Sequence, residues 1–266
     1  MLMSLRRHYM ERGYRADGWR ELARNLERLS AGMPVEQVRL MQNFPDPSLW
    51  YYYRGPVAHA VLPPVAHGWP ESLQEVQKLA ADGVRRVILP LQPATVWDDQ
   101  GLAQAALARE YVLIGETRLG VWPIQVYARA YPEDMSAVGA TFATGLRLEA
   151  AAVLPSSRQG WGVPGGILAV HLLWGGPVTA LTGSEKLFLH LLDADRAIVA
   201  QTDPFFTHSD LEAGLTSYGI FLPEELPPGT YRLIVGVYDP GQPGAPREST
   251  LAGADHVELS MLSVTK

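Results

Sequence analysis

The feature that most restricts this chain is a change of hydrophobic rhythm near Tyr131. Before it, stretches with apolar residues at helical spacing alternate with short unbroken apolar runs. After it, only strand-like runs remain, divided by Pro and Gly. Residues 17–29 place Trp19, Leu22, Ala23, Leu26 and Leu29 on one helical face, with Asp17 as a candidate N-cap and Gly32 and Pro34 as the stop. VRLMQNF (38–44) reads as a strand, PDPSLWYYY (45–53) as a short helix and AHAVLP (58–63) as a second strand. SLQEVQKLAAD (72–82) is a helix closed by Gly83, RRVILPLQ (85–92) a buried-type strand, and DQGLAQAALARE (99–110) a further helix. YVLIGETRLG and WPIQVYAR supply a closing hairpin. Strands alternating with helices at this spacing predict βαβ units and a small, mainly parallel, Rossmann-like three-layer α/β domain over residues 1–131.

From Leu146 onward the sequence predicts no helix. Seven strands are expected, at LRLEAAAV, ILAVHLLW, KLFLHLLD, AIVAQTD, SYGIFLP, TYRLIVGVYD and HVELSMLSV. Tyr231, Leu233, Val235 and Val237 alternate as one half-buried face requires. The pattern predicts an antiparallel immunoglobulin-like β-sandwich over 146–266, with 132–145 as a linker. A chain of 266 residues, 47% hydrophobic and 19% charged, accommodates two such cores.

Charge and composition exclude several functions. A formal charge of −6 argues against a nucleic-acid surface, which needs clustered Lys and Arg. Arg6, Arg7, Arg12, Arg15, Arg20, Arg24 and Arg28 do bunch near the N-terminus, but acidic residues interleave, and a solvated helix face is favoured over an anionic membrane surface. With no cysteine, disulfides, thiolate zinc sites and cysteine nucleophiles are excluded. No apolar run reaches the roughly 20 residues that span a bilayer, and MLMSLRRHYM is too short and polar for a signal peptide. The sequence therefore predicts a soluble chain.

Four motifs invite chemistry. GWGVPGG (160–166) fits the dinucleotide spacing G-x-G-x-x-G, and Glu185 lies where a ribose ligand is wanted. The glycines, however, follow a polar loop and precede the strand ILAVHLLW, whereas a phosphate cradle must open a helix. No dinucleotide or other cofactor is expected. Asp46, Trp50, Tyr51, Tyr52 and Tyr53 set aromatic rings beside a carboxylate, the combination that holds sugars; the alternative is packing of the first crossover. His171 and His190 lie mid-strand: paired ligands if the strands are neighbours, core or interface histidines otherwise. No third ligand stands at a readable spacing, so no metal is expected. Asp193 and Asp195 begin like a calcium loop, but Ala197 and Ile198 break the pattern, leaving an Asp-rich turn. No nucleophile elbow exists, the acidic pair Glu224–Glu225 sits in a Pro-rich turn, and no catalytic residue is assigned.

The order of pieces resembles a known arrangement. YMERGYRADGWRELARNL, then VRLMQNFPDPSLWYYYRG, then VWPIQVYAR is similar to the soluble region after the last membrane helix of bacterial multi-spanning, polyprenyl-phosphate-sugar-dependent glycosyltransferases related to protein mannosyltransferases. VPGGILAVHLLW, LFLHLLDADRAIVAQTD and LPPGTYRLIVGVYDP resemble the sandwich that follows in many members. The likeness runs from about Tyr9 onward and rests on diffuse patterns. It implies an extracytoplasmic, membrane-associated location, a membrane glycosyltransferase domain as partner, and glycan as a further partner. Such enzymes keep their catalytic acid and lipid-phosphate contacts in the membrane portion, so the resemblance implies a non-catalytic accessory region. MLMSLRRHYM would then be the stub after a membrane helix, in a split gene, a longer reading frame or a free-standing derivative. Two other readings stay open. One is a stand-alone carbohydrate-binding protein, with Trp50 or Trp174 as anchor. The other is a soluble α/β enzyme with an interdomain-cleft site.

Overall fold

The computed structural model describes residues 16–119, 122–155 and 163–264. The chain divides into two compact units, the first ending at Arg129 and the second beginning at Ala130.

In the first unit, helix α1 (Ala16–Ser30) precedes β1 (Val38–Gln42), α2 (Pro47–Tyr52), β2 (His59–Val61), α3 (Trp69–Ala81), β3 (Arg86–Pro90), α4 (Leu102–Leu107), β4 (Val112–Leu119) and β5 (Trp122–Ala128). The five strands lie in the order β2-β1-β3-β5-β4. Strand β1 runs parallel to β2 and β3, whereas β5 runs antiparallel to both β3 and β4. The sheet is thus mixed rather than mainly parallel. The chain crosses over by helix only until β3 and, after α4, returns through β4 and β5 as an antiparallel pair.

Strand alternation sorts this core into two faces. Met41, Val87, Leu89 and Tyr127 pack with Val76, Leu79 and Ala80 of α3 and with Ala103, Ala106 and Leu107 of α4. The intervening positions Val38, Leu40, Ile88, Val126 and Ala128 are equally buried on the other face, where α1 lies. Leu22, Leu26 and Leu29 give α1 its apolar stripe. Arg86 is fully buried on that side and donates to the Leu29 carbonyl at 2.7 Å, satisfying an orphan group in the last turn of α1. Its loss of hydration lowers the guanidinium pKa to about 10, so it stays charged at neutral pH.

The second unit holds β6 (Ser136–Thr141), β7 (Arg147–Leu154), β8 (Ile167–Gly175), β9 (Lys186–Leu192), β10 (Ile198–Thr202), α5 (His208–Ala213), β11 (Leu215–Phe221), β12 (Gly229–Tyr238) and β13 (Val257–Val264). Two four-stranded antiparallel sheets, β11-β8-β7-β6 and β10-β9-β12-β13, share one core. Leu148, Leu168, Val170, Leu172 and Trp174 come from the first sheet; Leu187, Leu189, Leu191, Leu233, Val235 and Val237 come from the second.

Two expectations are corrected here. Residues 132–145 are no linker: they form a 3-10 turn (Pro132–Asp134) and strand β6, paired with β7. The sandwich region also contains a helix, α5, started by a capping box in which Thr207 and Asp210 exchange side-chain and backbone hydrogen bonds. Register shifts interrupt the pairings of β4 with β5, β6 with β7, β7 with β8, β10 with β9 and β13 with β12.

Candidate functional site

The run PDPSLWYYY lies on the crossover from β1 to β2 and separates into two roles. Asp46 caps α2, its Oδ1 accepting from Ser48 N at 2.8 Å, and Pro47 occupies the first helical turn. Leu49 points into the core. Tyr53 is also buried, its hydroxyl accepting from Val57 N at 3.3 Å, and burial pushes its pKa up. Asp46, Leu49 and Tyr53 are thus engaged in capping and packing of the crossover. Trp50 and Tyr51 do the opposite, remaining 41% and 66% exposed, with Tyr52 half-buried beside them.

The exposed rings make two groups, Tyr51 with Tyr52 and Trp50 with His59. Tyr51 and Tyr52 meet edge to face at 5.0 Å, and Trp50 stands 5.7 Å from the His59 ring at the start of edge strand β2. Arg54 lies over Tyr51 with its Cζ 5.5 Å from the ring centre, and Arg20 of α1 lies over Tyr52 at 5.8 Å. Partial burial lowers the His59 pKa, which keeps its ring neutral at pH 7. His59, Arg54 and Arg20 were not singled out as site residues from sequence. Arg54 directly follows the tyrosines and was legible there; His59 and Arg20 arrive only through the fold.

Open α/β sheets bind ligands beyond the carboxyl ends of their strands, where the strand order reverses, here between β1 and β3. Asn43 spans that position. Its Nδ2 donates to the Gln92 carbonyl at 2.9 Å, and its Oδ1 accepts from Gln92 N at 2.8 Å. Next to it, Leu91 N donates to the Pro123 carbonyl at 2.8 Å. Both backbone groups of Gln92 face Asn43 instead of a ligand. At the following loop, Asp98 receives Leu102 N and Ala103 N at the start of α4, and burial raises its pKa despite those bonds.

The remaining motifs resolve into local structure. In GWGVPGG, Gly160, Trp161 and Gly162 lie outside the described residues, as do Arg6, Arg7, Arg12 and Arg15. Gly165, at φ +74°, makes the turn that enters β8 at Ile167. Glu185 is engaged in its own turn, accepting from Thr182 N at 2.6 Å and Gly183 N at 2.8 Å. Burial pushes its carboxyl up, and these bonds outweigh it, holding the pKa below the usual range. Asp193 Oδ1 accepts from both Asp195 N and Ala197 N at 2.9 Å, an Asx turn.

His171 and His190 are not brought together. They lie on β8 and β9 in different sheets, and each alternates out of the shared core between inward-facing leucines and valines. His171 is fully buried, its Nδ1 2.7 Å from Ser217 Oγ. His190 stands 3.4 Å from Asp203 and 4.9 Å from the Phe188 ring; burial lowers its pKa, against the opposing pull of Asp203. Trp174 offers no sugar platform: it is 3% exposed, between Phe142 and Phe206, and bonded through Nε1 to Thr216. Among the described residues, no group of three or more His, Cys, Asp or Glu is placed to hold a metal, and no helix is long and apolar enough to cross a membrane.

No protein-family model and no curated protein matches the chain. Solved structures with partial likeness include a glycosyl hydrolase family 2 member from Bacteroides cellulosilyticus, at 10% identity and TM-score 0.23, covering 54% of this chain and 21% of that one. A β-glucuronidase from Parabacteroides merdae gives 13% identity, TM-score 0.21, and coverages of 51% and 15%. An endonuclease/exonuclease/phosphatase from Beutenbergia cavernae gives 12%, 0.22, and coverages of 76% and 61%. This chain thus spans less than two thirds of each of these chains. Likenesses of this size assign it no chemistry.

Proposed function

We propose that this chain is a non-catalytic, glycan-contacting accessory region of a polyprenyl-phosphate-sugar-dependent membrane glycosyltransferase, working on the extracytoplasmic face. The parentage rests on the resemblance in motif order, and the glycan contact on one observation: Trp50 and Tyr51 stand exposed on a capped helix. Pyranose rings present flat C–H faces that settle on aromatic rings, and an exposed ring held on a rigid element gives up little entropy when it binds. The first unit reads as a Rossmann-like scaffold whose usual ligand mouth Asn43 occupies, leaving the crossover as its contact surface. The second reads as immunoglobulin-like; Tyr231, whose hydroxyl donates to the Pro227 carbonyl at 2.6 Å near the start of β12, supports that assignment as a tyrosine corner.

The test is a titration of the purified chain with envelope-type oligosaccharides, followed by the indole N–H signal of Trp50. Trp50→Ala is expected to weaken binding about tenfold, the equivalent of roughly 1.4 kcal/mol, with a modest fall in Tm because the 41% exposed ring also packs near His59. Absence of binding at millimolar sugar sinks the glycan reading. Sugar transfer by this chain from a lipid-linked donor, above background, sinks the non-catalytic one.

A further inference from the structure

Glycans differ in charge, and the crossover surface carries the means to sort them. Arg54 is exposed, lies over Tyr51, and among the described residues enters no ion pair. Arg20 lies over the neighbouring Tyr52. Arg54 thus places a cationic group on an exposed ring of a chain whose formal charge is −6. A guanidinium resting on an aromatic ring keeps its in-plane donors available, and their fork matches a carboxylate with two parallel hydrogen bonds. Asp46, the carboxylate of the same crossover, already accepts from the α2 backbone.

Resting on the glycan-contact reading above, we propose that the Trp50–Tyr51 surface selects saccharides bearing a ring carboxylate, hexuronates, with Arg54 as the group that reads the charge. Trp50 and Tyr51 supply the stacking faces, and Arg54 pairs with the carboxylate at the sugar's edge. A carboxylate is preferred to a phosphate monoester, because Arg54, the guanidinium over the exposed Tyr51 ring, balances a single charge and leaves much of a phosphate's charge of about −1.5 to −2 unmatched.

Isothermal titration of the whole chain with oligogalacturonate and with its methyl ester separates the terms, since the two share rings and differ in charge. The acid is expected to bind about tenfold tighter at low salt, the size of a charge-assisted pair. That ratio should shrink at about 300 mM salt as screening shortens the reach of the charge. Arg54→Gln should collapse the acid-to-ester ratio toward one, while Arg54→Lys retains part of it. Circular dichroism and Tm confirm that these exposed-site variants stay folded. Equal affinity for acid and ester, both lost in Trp50→Ala, would overturn the charge selection and leave the glycan reading standing. Binding of neither form, nor of neutral oligosaccharides, overturns both. Tighter binding of a sugar phosphate than of the uronate overturns the carboxylate assignment.

Discussion

Asn43 shows how much one side chain can decide in an α/β sheet. Its amide matches both backbone groups of Gln92, 49 residues away, as an adjacent strand would. Removing it leaves a donor and an acceptor without their partner in a nearly closed site, since Asn43 is only 5% exposed. Asn43→Ala is therefore expected to cost about 1–3 kcal/mol in urea unfolding, with an unchanged m-value. Asn43→Asp keeps only the acceptor half of the pair, repels the Gln92 carbonyl, and should lose more. Arg86, another buried polar group of this unit, acts differently: it fixes the end of α1 instead of a strand pair.

At the scale of elements, α2 is the piece on which the proposed glycan contact depends. Six residues cannot hold a helix by propensity, so its geometry rests on the Asp46 cap, on Pro47 and on buried Leu49. Asp46→Ala is expected to lower stability by about 1 kcal/mol. Because the same helix carries Trp50 and Tyr51, sugar affinity should fall as well, although Asp46 touches no ligand. A Trp50 indole signal broadened in the free variant would check this directly. The elements easiest to read in the sequence were those with a long, clean period: α1, α3, β8, β9 and β12. Strand β6 escaped because SAVGAT is small and glycine-containing, with Gly139 at φ +70° and little apolar alternation to detect. Helix α5 was legible in principle, since Thr207 and Asp210 stand three apart, but six residues give no usable helical period. In the aromatic run, spacing could not separate buried Tyr53 from exposed Tyr51. The division depends on which side of α2 the chain turns back.

Across the whole molecule, acid should act in two stages. His190 and His59 both have folded-state pKa values below the ordinary 6.5, in each case through burial. The unfolded chain then binds more protons, so their contribution to stability is complete above about 6.5 and declines as pH falls through that value toward the folded-state pKa. Asp239 and Asp255 are shifted down by hydrogen bonds, Asp239 chiefly from Gly241 N and Ser184, Asp255 from His256 and Arg247. Their contribution persists until pH falls below the carboxylate range. Tm should thus drop first between about pH 7 and 5 and again below about 4. His190→Gln should flatten the first step and leave the second; a first step of unchanged size in that variant and in His59→Gln would refute the assignment.

Four of the five register shifts noted above share a property that bears on how this protein survives at high concentration. In these four the extra residue belongs to the outermost strand: Ile114 in β4, one residue between Ala137 and Ala140 in β6, Val199 in β10 and Leu259 in β13; the fifth places Glu149 in the inner strand β7. Those strands are four of the six sheet margins, and a fifth, β2, is only three residues long. A stray chain approaching such a margin meets a broken row of donors and acceptors and cannot extend the sheet in register. Five of the six borders of the described sheets are thereby poor templates for polymerisation, and β11 is the regular one that remains.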